Sequence, residues 1–276
     1  MGNKKSKVTK AESSNQSHKL IKDRFTSYSD LQQALRNIGL ESSNLIIGID
    51  FTKSNTWNGG MPYYPNENLH SLAPVPNPYQ QVITIIGKTL EVFDDDKLIP
   101  TYGFGDASSK DHSVFSFMTD QMSGQEAPCY TFSNVLAVYN TIINNFALGK
   151  MQMSGPTSFA ALINKAIDIV SKLKTYHILL IVCDGAVDCV KETTEAIVRA
   201  SSHPLSIICI GIGKADFKIM EDFDDNIPER QFDNFQFVDF YKVMQQCENE
   251  EAEFAKHALM EIPEQYAYIK KYILNK

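Results

Sequence analysis

The 276-residue chain has no apolar run approaching the roughly eighteen residues that a membrane-spanning helix needs. Its amino terminus is lysine-rich with no apolar stretch behind it, so a secretory signal is excluded and an intracellular, cytoplasmic location is expected. Cysteine is sparse and unpaired: Cys129, Cys183, Cys189, Cys209 and Cys247 form an odd set without a C-x-x-C pair. Zinc sites built on clustered Cys and His ligands are thereby excluded, and reduced structural thiols are expected. The histidines are scattered and make no H-E-x-x-H. The Gly-x-Gly pairs at 103–105 and 211–213 do not extend to G-x-G-x-x-G, so they read as tight turns and not as a dinucleotide site. Asp94-Asp95-Asp96 lacks the glycine and terminal glutamate of an EF-hand loop and reads as a solvated turn.

Charge is uneven along the chain. Five lysines against Glu12 give residues 1–19 a formal +4, which leaves −11 for the rest of a chain whose total is −7. An acidic body without interleaved basic and aromatic residues argues against nucleic acid as a partner, whereas a basic leader suits an anionic membrane surface. Residues 1–19 are polar and aromatic-free, a composition that does not order itself, and are expected to form a flexible tail ahead of a folded unit at 20–276.

The folded part alternates between two periodicities. Apolar runs at 45–49, 98–104, 176–183 and 205–210 predict buried strands, with shorter ones at 114–117 and 235–238. Helices are expected at 29–39, 79–93, 133–146, 158–173, 191–200, 250–262 and 266–273. Ser133 and Ser158 would cap two of them, and Pro263 would break the last pair. A polar loop at 55–78 is long enough to lie over a functional crevice. Strands that are continuously apolar and alternate with helices imply α/β, a doubly wound, mostly parallel sheet covered on both faces.

One constellation carries chemistry. Asp50-Phe51-Thr52-Lys53-Ser54 follows the strand at 45–49 directly, and alternate residues of such a D-x-T-x-S turn can aim their oxygens at one point. Gly155-Pro156-Thr157-Ser158 offers a further hydroxyl at Thr157, and the strand ending at Cys183 offers the carboxylate of Asp184. In a parallel sheet the loops at the carboxyl ends of neighbouring strands converge on one crevice. Asp50, Thr52, Ser54, Thr157 and Asp184 are therefore candidate ligands for a hard divalent cation, Mg²⁺ or Mn²⁺ first and Ca²⁺ as a third candidate. Each residue alone has an ordinary structural use as a cap or turn former.

These residues, with Asn77-Pro78-Tyr79, Ile85-Ile86-Gly87-Lys88-Thr89-Leu90, Tyr102-Gly103-Phe104-Gly105-Asp106 and Leu259-Met260-Glu261-Ile262-Pro263, resemble the von Willebrand factor A domain of the copines. The resemblance is closer to the A domain of plant copine-like RING ubiquitin ligases, and it runs from about Leu20 to Ile273. It implies a metal-ion-dependent adhesion site made of the same five residues, with the Thr52 and Ser54 hydroxyls on the cation. A cation held mainly by neutral oxygens stays electrophilic and takes an Asp or Glu from a protein partner. The resemblance thus implies Mg²⁺-dependent protein binding and no catalytic residue. Copines carry C2 domains and the plant ligases a RING, and these 276 residues contain neither pattern, so ubiquitin-ligase activity in cis is not expected. A regulator or partner of ubiquitin ligation is the alternative reading.

The tail has a reading of its own. Met1-Gly2-Asn3-Lys4-Lys5-Ser6 fits the acceptor pattern for myristoylation of Gly2. A lone myristoyl chain binds membranes marginally, and basic residues behind it supply the second signal. Lys4, Lys5, Lys7 and Lys10 would contribute about 1 kcal/mol each near an anionic leaflet. The expected address is the inner face of the plasma membrane or another cytoplasmic membrane surface.

Overall fold

A computed structural model describes residues 27–275 except 38, 41, 63, 95, 186 and 246–249. Gly2 and the tail lysines, and with them the proposed anchor, lie outside the described residues.

Four strands form the parallel heart of the structure: β1 (Asn44–Asp50), β3 (Thr101–Phe104), β8 (His177–Cys183) and β9 (Leu205–Gly211). With β10 (Phe235–Asp239) and β4 (Phe115–Ser116) they make a six-stranded sheet in the order β10-β9-β8-β1-β3-β4, antiparallel only at the β3–β4 edge. Register places Ile47 opposite both Leu180 and Thr101.

The runs are continuously apolar because both faces are covered, and alternate residues serve different cores. Leu45, Ile47 and Ile49 pack with Ile178, Leu180 and Val182 under α1 (Tyr28–Asn37), α2 (Pro78–Leu90) and α3 (Thr131–Ala147). On the opposite face Ile46, Leu179, Ile181 and Cys183 pack against Leu162, Ile163 and Ala166 of α4 (Ala160–Leu173) and Ala196 and Ile197 of α5 (Val190–Ala200). Gly48 lets α4 approach the sheet, since a Cβ there would lie 2.1 Å from Leu162 Cδ2.

Several boundaries differ from the sequence expectation. The run at 98–104 is split at Pro100: β2 (Leu98–Ile99) pairs antiparallel with β7 (Cys129–Tyr130), and only Thr101–Phe104 joins the main sheet. A proline cannot donate to the ladder, and its carbonyl accepts from Ile47 N at 2.9 Å. A further ribbon pairs β5 (Met118–Thr119) with β6 (Glu126–Ala127). The expected cap at Ser133 is absent, since α3 opens at Thr131 with no side-chain cap bond, whereas α4 opens at Ala160, whose N donates to Ser158 Oγ at 3.3 Å. Asn77 instead builds a reciprocal capping box with Gln80 at the start of α2, ahead of Pro78.

Helix α6 (Lys218–Asp225) had no strong periodic signal. The short α7 (Phe240–Met244), α8 (Glu250–Leu259) and α9 (Ile262–Ile269) complete the chain, followed by a π-helical turn at Lys270–Leu274. Pro263 stands in the first turn of α9 and does not interrupt a helix; the break falls before it. Of the triplet expected as a solvated turn, Asp94 is buried and Asp96 is exposed in a bend.

Candidate metal centre

Strands β1 and β8 are neighbours and run the same way, so their carboxyl ends deliver Asp50 and Asp184 to one place. Both side chains are buried. After Asp50 the chain makes a turn of 3₁₀ helix (Lys53–Thr56). Asp50 Oδ1 accepts from Thr52 N at 2.7 Å, a local bond that fixes the D-x-T segment.

Hydroxyls and carboxylate then close on one another. The Thr52 and Ser54 hydroxyls are 2.9 Å apart. Ser54 Oγ donates to Asp184 Oδ1 at 3.0 Å, and Thr52 Oγ1 lies 3.4 Å from the same oxygen. Asn58 Nδ2 donates to Asp184 Oδ2 at 2.9 Å. Asp50 Oδ2, by contrast, is buried with no hydrogen-bond partner.

Thr157 is placed less directly. It is buried, its N donates to Asp188 Oδ2 at 2.8 Å, and its carbonyl accepts from Asp188 N at 2.9 Å. Among the described residues no hydrogen bond joins its hydroxyl to the other four candidates. Its loop does reach them: Ser154 bridges Thr52, accepting from Lys53 N at 2.7 Å and donating through its own N to Gly105 O at 3.1 Å. The structure therefore gathers Asp50, Thr52, Ser54 and Asp184 into one hydrogen-bonded group and sets Thr157 on an adjoining loop.

Electrostatics sets this group apart from an ordinary polar core. Burial, then the facing Asp184 charge, pushes the Asp50 carboxyl well above the usual carboxylate range. Burial also raises Asp184, against the hydroxyl and amide donors that favour its charged form. Two buried carboxyls side by side need a counter-charge or a shared proton. The donor set is all oxygen, with the unpartnered Asp50 Oδ2 available, and it suits a hard divalent cation. Asp50, Thr52, Ser54 and Asp184 are the residues that would hold it.

A second layer holds Asp50 from behind. The Asp50 carbonyl interacts with His70 Nε2 at 2.9 Å and accepts from the Tyr79 hydroxyl at 3.1 Å, while that hydroxyl also donates to Asn55 Oδ1 at 2.6 Å. The His70 ring lies between Phe51 and Tyr79, with centroid distances of 4.9 and 4.1 Å, and its Nδ1 meets the Tyr139 hydroxyl at 2.7 Å. Burial lowers the His70 pKa to about 3, so the ring is neutral. These partners, with Asn58, escaped the sequence reading. His70 was one scattered histidine, and only the Asn77-Pro78-Tyr79 string marked the neighbourhood.

The loop expected to lie over the crevice partly turns inward: Met61, Tyr64, Leu69 and His70 are buried, and Leu69 N donates to Asn55 O at 2.9 Å. Two glycines permit the close approaches. Gly105 has φ +81°, and a Cβ there would sit 2.4 Å from Thr52 Cγ2; Gly213 has φ +97°, and its Cβ would sit 2.8 Å from Asn58 O. Beside the D-x-T-x-S turn opens a cleft of about 770 Å³ whose walls include Lys53, Thr56, Phe146, Met151 and Met153.

The chain belongs with a known family. The family described as Copine matches residues 68–276, and the chain is a member of the copine family. It is 47% identical over 262 residues to the E3 ubiquitin-protein ligase RGLG5 of Arabidopsis thaliana, covering 89% of this chain and 58% of that protein. It is 48% identical over 248 residues to Copine family protein 2 of Caenorhabditis elegans, covering 90% of this chain and 3% of that protein. The chain thus spans little more than half of the first relative and a small part of the second. Among solved structures, the manganese-loaded TRAP protein of Plasmodium vivax is similar over 74% of this chain and 70% of its own, with 12% identity and a TM-score of 0.47.

Proposed function

We propose that this chain is a metal-ion-dependent protein-binding module whose crevice takes an acidic group from a partner. The observation that carries the reading is the Asp50 and Asp184 carboxyl pair, buried beside two hydroxyls and leaving Asp50 Oδ2 without a donor. Bound Mg²⁺ or Mn²⁺ would supply an electrophilic centre for an external carboxylate. The chain's own part is to hold its oxygens fixed: Thr52 N and Asn58 Nδ2 orient the two carboxylates, and His70 and Tyr79 pin the Asp50 backbone. Exposed Lys53, at the mouth of the adjoining cleft, favours an acidic approach and gives the partner's flanking residues somewhere to rest. The reading is of recognition rather than catalysis.

Calorimetric titration of the full chain with MgCl₂ and MnCl₂ should give saturable binding that Asp50→Ala removes. An Asp- or Glu-containing peptide library should then bind only with metal present. Absence of heat in the wild type would overturn the reading.

The tail adds a location to this role: myristoylated Gly2, backed by Lys4, Lys5, Lys7 and Lys10, would hold the module on an anionic cytoplasmic membrane face. Among the described residues no helix is long and apolar enough to cross a membrane, so the anchor reading rests on the tail alone. With N-myristoyltransferase present, wild type should sediment with membranes and Gly2→Ala should remain in the supernatant; equal distribution would remove the anchor.

A second reading is supported by the similarity to RGLG5. The chain would act beside ubiquitin ligation, presenting or competing for partners of such ligases. Adding it to a reconstituted ligase reaction should change substrate modification if that reading holds.

A further inference from the structure

A second group of carboxylates lies away from the Asp50 crevice, near the segment that enters β10 at the amino end of the parallel strands. Asp224 is in the last turn of α6, Asp233 precedes β10, and Glu261 is the residue before α9. One oxygen from each lies within 4.8 Å of the other two. Arg230 is the cation packed into this corner. It pairs with Asp233 at 2.7 Å and donates to the carbonyls of Phe223, Asp224 and Ile227. Three carboxylates against one guanidinium leave a formal charge of about −2 when all are ionised.

An independent observation points to a ligand. Gln265 is 4% exposed, lines the same 200 Å³ pocket as Asp233 and Glu261, and donates through Nε2 to Glu261 Oε2 at 3.3 Å. Its Oε1 is buried with no hydrogen-bond partner. An amide oxygen buried without a donor, on a side chain that lines this pocket and touches Glu261, is a further hard ligand lacking a cation.

We propose that Asp224, Asp233, Glu261 and Gln265 form a calcium site that ties α6 and the segment before β10 to the start of α9. Ca²⁺ accepts six to eight oxygens at about 2.3–2.6 Å in irregular geometry, so opposite ligands about 4.6–5.2 Å apart fit it, whereas Mg²⁺ demands a tighter octahedron. Its charge also matches the deficit that Arg230 leaves.

The test uses the full chain carrying Asp50→Asn, so that the candidate site at the other end of the sheet contributes nothing. Titration with CaCl₂ should show one saturable event, and Tb³⁺ should bind with emission excited through the pocket's Tyr268. Glu261→Gln, and separately Asp233→Asn, should weaken both by about tenfold or more. Asp233 is half exposed, so its variant keeps the test decisive if Glu261→Gln does not fold. No Ca²⁺ heat in the Asp50→Asn chain, or affinities unchanged in both variants, would overturn the site. Stability that responds to pH but not to Ca²⁺ would also overturn it, as the mark of a shared proton in place of a metal. Loss of the Asp50 metal reading would leave this site untouched, because none of its ligands belongs to that crevice.

Discussion

Replacing Asp50 by Asn should invert the stability order of the protein between chelator and Mg²⁺. In the wild type without metal, Asp50 Oδ2 is buried and unpartnered beside the Asp184 carboxylate. A buried polar atom left without a partner costs about 1–3 kcal/mol, more when charged. Asn keeps the oxygen that accepts from Thr52 N, and it turns the orphan position into a donor facing Asp184. Stability in chelator should therefore rise by about 1–2 kcal/mol, taking the lower part of that range because the hydroxyl network will shift. With metal at about 100 times its Kd the wild type gains about 2.7 kcal/mol, and the variant should gain little. For a folded unit of this size 1 kcal/mol moves Tm by roughly 2–4 °C. Wild type should thus climb by about 5–10 °C on adding Mg²⁺, from below the variant to above it. Differential scanning calorimetry in EDTA and in MgCl₂ reads both limbs. A wild type that is the more stable protein in EDTA, or a variant with an undiminished metal shift, would refute the account of Asp50 and Asp184 as an uncompensated pair.

Three further outcomes follow from the same geometry. Gly105→Ala forces a side chain into φ +81° and against Thr52 Cγ2; left-handed strain and overpacking together should cost about 2–5 kcal/mol, read by urea denaturation. Tyr79→Phe leaves buried Asn55 Oδ1 without its 2.6 Å donor, which should cost about 1–3 kcal/mol and weaken metal binding by about tenfold through the loosened Asp50 backbone; unchanged affinity would dissociate that layer from the site. His177 is buried with its Nδ1 donating to the Thr175 carbonyl at 3.0 Å, and burial lowers its pKa below 6.5. The unfolded chain then takes up the proton first, so stability is full above about 6.5 and falls with decreasing pH at up to about 1.4 kcal/mol per unit. His177→Gln should flatten that slope below about pH 6.5, measured by urea titration across pH.

How much of this was legible from residues alone depended on the range of the determining contact. The strands at 45–49, 176–183 and 205–210 were readable because burial on both faces writes an unbroken apolar run, and the sheet confirms the mostly parallel order. The start of α3 was misplaced because Ser133 resembles a cap, whereas the turn is set by Lys97 O accepting from Thr131 N at 3.1 Å, across a gap in sequence. Helix α6 was missed for a similar reason: only Met220 and Phe223 are buried on it, too few to mark a period.

The candidate site divides along the same line. Asp50, Thr52 and Ser54 are local to one turn, and Asp184 follows from strand adjacency alone, so these four could be foreseen from the sheet. His70, Tyr79 and Asn58 act by reaching across loops whose course no periodicity encodes. Thr157 lies between the two cases. Its loop is stitched to Thr52 and Gly105 at Ser154, and to Asp188 and Cys189 at Thr157 itself. Two ligands of one cation need no hydrogen bond between them, so the hydroxyl can serve the ion from this adjoining loop. Thr157→Ala tests this directly: it keeps both backbone bonds to Asp188, so a loss of metal affinity without a loss of stability in EDTA would assign the hydroxyl to the cation. Equal affinity would confine the ligand set to the four residues already in contact.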